Sequence, residues 1–281
     1  MIVGIIGLGL IGGSMAKAIK HYTNHTVFGM DISNQVVLKA KMLCVIDDEL
    51  SPEKLSDCDL ILVALYPGAA IEFIKENAAR LRGTTIVDCC GVKKIVQDAV
   101  LPIAREHGFV FVGGHPMAGI EYSGFEYSSI DLFDGASMIL TPNPQVNITD
   151  LDMLKHFFLS LGFRKIQIST PEEHDHVIAY TSQLAHVLSS AYVKSEAAMK
   201  HIGFSAGSFK DMTRVALLNA DMWTELFLAN SENLADEVEA LSSRLTQYAA
   251  AIRGHDAETL SRLLDEGCKR KQHLTEREFG A

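Results

Sequence analysis

Two hydrophobic regimes alternate along the first 169 residues. Short runs of nearly continuous apolar residues, the length of a strand, are each followed by a stretch in which apolar positions recur at helical intervals. The runs begin at Ile2 and continue at Thr26–Met30, 59–64, 84–89 and 109–113, with two more at 137–141 and 165–169 around a helix over 150–161. Helices are expected from Leu10, after a Ser33 cap, from Tyr66-Pro67-Gly68 through Leu81, and over 92–105. Strands that are apolar on both faces, interleaved with amphipathic helices, predict a parallel sheet covered on both sides. Ligands of such sheets sit at the carboxyl ends of the strands, which here means 7–12, 66–68, 88–93 and 114–119.

Beyond Pro171 the strand pattern stops and helices are expected over 171–201, 208–218, 221–253 and 256–277, interrupted at Asn219-Ala220 and Gly254-His255. The long 221–253 helix carries an apolar stripe of Leu226, Leu234, Val238, Leu241, Leu245 and Tyr248, which predicts packing against a large surface and a homodimer. The expected fold class is therefore α/β: a Rossmann-like dinucleotide-binding domain over 1–169, followed by an all-α domain over 170–281 that binds substrate and dimerises.

The first strand-to-helix junction carries the most chemistry. Gly7, Gly9 and Gly12 have the G-x-G-x-x-G spacing. The first permits a tight turn, the second lets a diphosphate approach the backbone, and the third lets helix and strand lie close. Leu10 and Ile11 open the helix, whose unpaired N–H groups face the phosphates. Asp31 closes the next strand, where a carboxylate accepts from both ribose hydroxyls. No Lys or Arg follows at 32–34 to hold a 2′-phosphate, so the cofactor expected is NAD.

Composition narrows the setting. Hydrophobic residues make up 48% of the 281, enough for a real core. A net charge of −10 argues against broad electrostatic binding of nucleic acid and leaves room for a local basic pocket. The apolar start lacks the basic region and cleavage site of a signal peptide, and no uncharged run reaches the length of a membrane span. Five cysteines without C-x-x-C or zinc-ligand spacing suggest reduced thiols in a cytoplasmic protein. His174-Asp175-His176 tempts a metal reading. Imidazoles two apart on a helix point to different faces, however, so solvated residues near a helix start are expected and no metal.

Three further segments offer site residues. His115, in Gly113-Gly114-His115-Pro116, follows the fifth strand at the ligand edge, where a neutral imidazole suits a general base. Ser182 and His186 share a helical face amid apolar residues, and either a substrate or neighbouring core groups satisfy them. Asp211 and Arg214 form either a surface ion pair or a fork for a carboxylate. Trp223, the one tryptophan, is expected in the core.

Taken in order, five motifs resemble the prephenate dehydrogenases of tyrosine biosynthesis, the group that includes arogenate and cyclohexadienyl dehydrogenases. They are Gly-Leu-Gly-Leu-Ile-Gly-Gly-Ser at 7–14, Gly-His-Pro-Met-Ala-Gly at 114–119, Thr-Ser-Gln-Leu-Ala-His at 181–186, Phe-Lys-Asp-Met-Thr-Arg at 209–214 and Met-Trp at 222–223. The resemblance implies oxidative decarboxylation of prephenate to 4-hydroxyphenylpyruvate with NAD, in a cleft between the two domains. It assigns His115 to the ring hydroxyl as base and Arg214 to a substrate carboxylate. It places His186 and Ser182 on the substrate and the acidic Glu121 near the site. Many relatives carry a serine at the position of Gly91, so a water or Cys90 is expected to replace its hydrogen bond, and Gln183 stands where some carry histidine. The alternatives are an arogenate dehydrogenase, a β-hydroxyacid dehydrogenase using a lysine such as Lys194 or Lys210, and a non-catalytic NAD sensor.

Overall fold

The computed structural model describes residues 1–279 and divides into two compact units, one from Met1 to Ser231 and one from Glu232 onward. The first unit is built on eight strands: β1 (Ile2–Ile6), β2 (Thr26–Met30), β3 (Asp48–Glu49), β4 (Leu60–Val63), β5 (Thr85–Asp88), β6 (Val110–Pro116), β7 (Ser137–Pro142) and β8 (Lys165–Ile168). They form one sheet in the order β3-β2-β1-β4-β5-β6-β7-β8. Its helices are α1 (Leu10–Tyr22), α2 (Asn34–Met42), α3 (Pro67–Asn77), α4 (Lys94–His107), α5 (Ile148–Ser160), α6 (Pro171–Ile178), α7 (Leu184–Tyr192), α8 (Gly207–Thr213) and α9 (Ala220–Ala229).

The central strands are apolar on both faces because both are covered. Every residue of β4 and β5 is buried. One core gathers Met15, Ile19, Leu140 and Phe158, and the other gathers Ile61, Ile74, Val100 and Phe111. Strand order reverses between β1 and β4, so the crevice at their carboxyl ends is where a ligand of this sheet is expected.

The sheet is mixed rather than parallel throughout. Strands β1 to β6 pair in parallel, but β7 runs antiparallel to β6, with His115 opposite Ile139. The connection between them holds only two short 3₁₀ turns, Phe125–Tyr127 and Ile130–Phe133, and no crossover helix, so the chain returns alongside in the opposite sense. Strand β6 also runs three residues further than its apolar pattern suggests and takes His115 into the ladder.

The helical part departs from expectation in three places. The 171–201 helix stops at Tyr192 and contains a wide π turn, Ala179–Gln183, between α6 and α7. The 208–218 helix shortens to α8. The long helix over 221–253 is two helices, α9 and α10 (Ser231–Arg253), separated at Asn230. The Asn230 side chain donates to the Asp175 carbonyl and to Gln183 Oε1, both at 2.8 Å, which fixes the chain at that break. The apolar stripe is therefore divided between two helices. In the second unit α10 is followed by α11 (Ala257–Phe279) across a turn with His255 at φ +51°, and the Tyr248 hydroxyl donates to the Leu263 carbonyl at 3.1 Å.

The glycine junction is tight at two positions and open at one. A Cβ on Gly12 would lie 1.8 Å from the Gly7 carbonyl oxygen, and one on Gly7, at φ +87°, would lie 2.6 Å from the Ala64 oxygen. A Cβ on Gly9 would meet no atom within 4 Å. Gly12→Ala gains about 1 kcal/mol of helix propensity but must displace backbone. It should lower stability in urea unfolding by about 3 kcal/mol, whereas Gly9→Ala should stay within about 0.5 kcal/mol of the parent.

Candidate active site

At the switch point the turn from β1 to α1 is held from outside. Gly7 N–H donates to the Met30 carbonyl at 2.8 Å, and Leu8 N–H donates to Asp31 Oδ2 at 2.8 Å. Asp31 Oδ1 accepts from Ser33 N–H at 2.9 Å, so the carboxylate anchors the turn from the end of β2. Helix α1 begins at Leu10 and Ile11 with Gly9 as its cap residue, no side-chain cap and no acidic residue in its first turn. An uncapped, positive helix end behind an open Gly9 fits the diphosphate of a dinucleotide. No basic side chain stands at Ile32, Ser33 or Asn34 beside Asp31.

Three strands along, β6 carries His115 into a buried chain of hydrogen bonds. His115 Nδ1 lies 2.8 Å from His174 Nε2, and His174 Nδ1 lies 2.7 Å from Asp175 Oδ1. The same carboxylate accepts Lys93 N–H at 2.8 Å and Lys94 N–H at 2.9 Å, which caps the start of α4. Both carboxylate oxygens are thus engaged by donors at the helix start. The protons then follow in order. Asp175 only accepts, so His174 Nδ1 donates, and neutral His174 accepts at Nε2 from His115 Nδ1–H. The lone pair of His115 is left on Nε2, which faces Gly91: a Cβ there would lie 4.0 Å away.

His174 and Asp175 are thus not solvated residues at a helix start, since each is only 2% exposed. The buried face of α6 is His174, Asp175 and Ile178, and helical spacing from Ile178 was the signal that placed His174 inside. His176 is the exposed member of the trio. Cys90 does not take the role expected of it either. Its thiol donates to the Leu65 carbonyl at 3.4 Å, and the residue facing His115 Nε2 is Gly91 itself. Burial pushes the Cys89 thiol up to about 12 and Cys90 well above the ordinary value, so neither is a thiolate near neutrality.

Beneath the histidines, Lys93 and Asp88 form an ion pair with both side chains buried. The Lys93 ammonium also donates to the Gly114 carbonyl, one residue before His115, and Asp88 accepts from the Cys90 and Gly114 N–H groups. Burial, His174 and the Lys93 charge, in that order, hold the pKa of His115 well below the ordinary histidine value. His174 is also lowered by burial, with Asp175 opposing.

The helices supply a second group of polar residues. His186 Nδ1 donates to the Ser182 carbonyl at 2.8 Å, and its ring lies on Trp223 with centroids 3.9 Å apart. Trp223 is half-buried rather than a core residue. Burial and then the Arg214 charge lower the pKa of His186. Arg214 follows α8 and pairs with Glu121 Oε1 at 3.3 Å, not with Asp211, so the guanidinium reaches the loop six residues beyond His115. Helix α9 faces the sheet edge: Glu225 Oε1 accepts from Gly68 N–H at 2.6 Å, and Leu226 lies 3.4 Å from a Cβ placed on Gly91. Gln183 is buried and donates to the Leu226 carbonyl at 3.0 Å. Lys194 and Lys210 are exposed.

Comparison with known families gives this arrangement its context. The model for "Prephenate dehydrogenase, nucleotide-binding domain" matches residues 15–167, and that for "Prephenate dehydrogenase, dimerization domain" matches residues 170–266. The chain belongs to the prephenate dehydrogenase family. It is similar to the prephenate dehydrogenase of Bacillus subtilis, with 29% identity covering 99% of this chain and 77% of that protein. The cyclohexadienyl dehydrogenase of Zymomonas mobilis is 30% identical across 97% of this chain and 95% of its own. The solved prephenate dehydrogenase of Aquifex aeolicus, in complex with hydroxyphenyl propionate and NAD+, superposes with a TM-score of 0.83 at 30% identity, covering 98% of both chains. A segment matching the nucleotide-binding domain is thus followed by one matching the dimerization domain. Among the described residues no helix is long and apolar enough to cross a membrane, and no cluster of three or more metal-binding side chains occurs.

The buried pair under the strand end sets a stability prediction. Removing one partner leaves the other charge uncompensated in the interior. Lys93→Met should therefore cost about 3 to 5 kcal/mol in denaturant unfolding. The exposed Lys39–Glu126 pair, removed by Lys39→Met, should change stability by less than about 1 kcal/mol.

Proposed function

We propose that this member of the family catalyses the oxidative decarboxylation of prephenate to 4-hydroxyphenylpyruvate, with NAD reduced to NADH, as a cytoplasmic homodimer. The observation that carries this reading is the chain from His115 through His174 to Asp175, which engages His115 Nδ1 and leaves Nε2 facing Gly91 at the ligand edge of the sheet. Gly7, Gly9, Leu10, Ile11, Gly12 and Asp31 would hold the dinucleotide, with the diphosphate over Gly9 at the start of α1. When bound, NAD supplies the hydride acceptor.

The residues of this chain handle protons and charge. His115 Nε2 takes the proton of the ring hydroxyl as hydride leaves the carbon that bears it. Loss of carbon dioxide then returns an electron pair to the ring, and the phenolic oxygen takes a proton back. The proton is borrowed, so a base with a depressed pKa that stays neutral near pH 7 suits the task. Prephenate is a dianion, and Arg214 is the exposed guanidinium on this edge, with His186 and Ser182 beside it to contact the substrate. Binding a substrate carboxylate at Arg214 would displace Glu121. Exposed Met199, Ile202, Phe204 and Leu217 lie within the segment matching the family's dimerization domain and supply an apolar surface for a second copy.

Arogenate is the second reading, and Glu121 favours it. A carboxylate beside a guanidinium matches the ammonium and carboxylate of an amino-acid side chain. NADH absorbance with each substrate in turn decides between the two, the higher kcat/KM naming the substrate.

With the preferred substrate, His115→Asn should lower kcat by about 10²-fold or more. Arg214→Gln should raise KM about tenfold with a smaller change in kcat, and an unchanged KM removes Arg214 from the carboxylate role. Activity should be lost as pH falls through the pKa of His115, because protonation removes the base. Burial lowers that pKa, so the acid limb of kcat/KM should lie below about 6.5 and be absent from His115→Asn.

A further inference from the structure

We propose that His174 is a positioning residue for the reaction, holding His115 in its basic tautomer and receiving the His115 Nδ1 proton as the substrate proton arrives at Nε2. This rests on the assignment of His115 as base. The geometry is a chain of three side chains in contact, His115 to His174 at 2.8 Å and His174 to Asp175 at 2.7 Å, with Asp175 pinned by two backbone N–H groups. Such a chain has one low-energy order of protons, because it ends on a carboxylate that only accepts.

The balance of the step is simple. The substrate O–H and His115 Nδ1–H bonds break, and His115 Nε2–H and His174 Nε2–H bonds form. Positive charge then rests on His174, against the Asp175 carboxylate, rather than on His115. When the phenolic oxygen reclaims its proton from His115 Nε2, the Nδ1 proton returns from His174 by the same bond and the original tautomers are restored. Because the proton is borrowed, the relay needs no exit to solvent.

The surrounding charges favour that direction. The charge of Lys93, from the turn before α4, acts on both rings and opposes a proton on either. Asp175 on α6 and Asp88 on β5 raise the affinity of His174 for a proton, whereas the charges that shift His115, on His174 and Lys93, both oppose its protonation. An imidazolium confined to His115 is therefore the costlier state, and sharing the proton with His174 lowers the barrier. His174 also lines a cavity of about 190 Å³ with Ile139, Gln167, Ser169 and Val177, which gives a replacement ring room to settle.

Two substitutions separate holding from accepting. His174→Phe removes both roles. His174→Gln keeps an amide oxygen that accepts from His115 Nδ1–H but takes up no proton. Nitrogen-15 histidine spectra of the free protein should show His115 protonated at Nδ1 in the parent and in His174→Gln, and a mixture of tautomers in His174→Phe. With substrate and NAD, kcat should fall about tenfold in His174→Gln and about 10²-fold in His174→Phe, with KM nearly unchanged. The proton inventory in mixed light and heavy water should be bowed in the parent and linear in His174→Gln. Melting temperature confirms that each variant is folded. Parental kcat, pH profile and tautomer in folded His174→Phe would overturn the relay alone if His115→Asn is inactive. Full turnover in His115→Asn would overturn the base assignment and the relay with it.

Discussion

Asp175 is the constraint on which this architecture turns. One buried carboxylate accepts two backbone N–H groups at the start of α4 and the Nδ1–H of His174, while its own carbonyl accepts from Asn230 where α9 gives way to α10. It therefore joins the sheet layer, the first helix of the family's dimerization region and the break between α9 and α10 at a single point. An isolated buried carboxylate would be costly. Here three donors and a helix terminus share its charge, so the position is satisfied and rigid. What the rigidity serves is the orientation of an imidazole one step away.

The site is layered by function. The tight glycines and Asp31 shape a cradle at the β1–β4 crevice, and the Lys93–Asp88 pair sets the end of β6 by bonding both sides of Gly114. From the helical side, α9 brings Trp223 onto His186, Glu225 onto the start of α3 and Leu226 toward Gly91. Arg214 and Glu121 meet across the opening. On the proposed reading, buried, interlocked groups hold the proton chemistry, while the exposed ion pair is the part free to exchange partners when an anion enters. An ion pair with its guanidinium 69% exposed is weakly held and easily exchanged.

Much of this was legible in the sequence. The apolar runs located seven of the eight strands, since burial on both faces leaves a mark that needs no partner to interpret. The glycine spacing located the β1–α1 junction, and the segment after the fifth strand located His115. The sense of β7 was not legible, because a buried strand has the same pattern whichever way its neighbour runs. Strand β3 has two residues and no apolar run at all. Asn230 looked like an ordinary polar position within a helix, and only its partners on α6 and the π turn reveal the break. The costliest omission was His174-Asp175: Glu172 to His176 reads as a solvated helix start by composition. The helical spacing from His174 to Ile178 was the one local sign that this face turns inward.

The central claim is that His115 Nε2 and the Arg214 guanidinium act on one small anion, and a crystal structure with NAD and a hydroxyphenyl carboxylate bound tests it most directly. The account predicts the ligand hydroxyl within about 3 Å of His115 Nε2 and its carboxylate on Arg214, released from Glu121. A ligand whose hydroxyl lies away from His115, or whose carboxylate ignores Arg214, would contradict it.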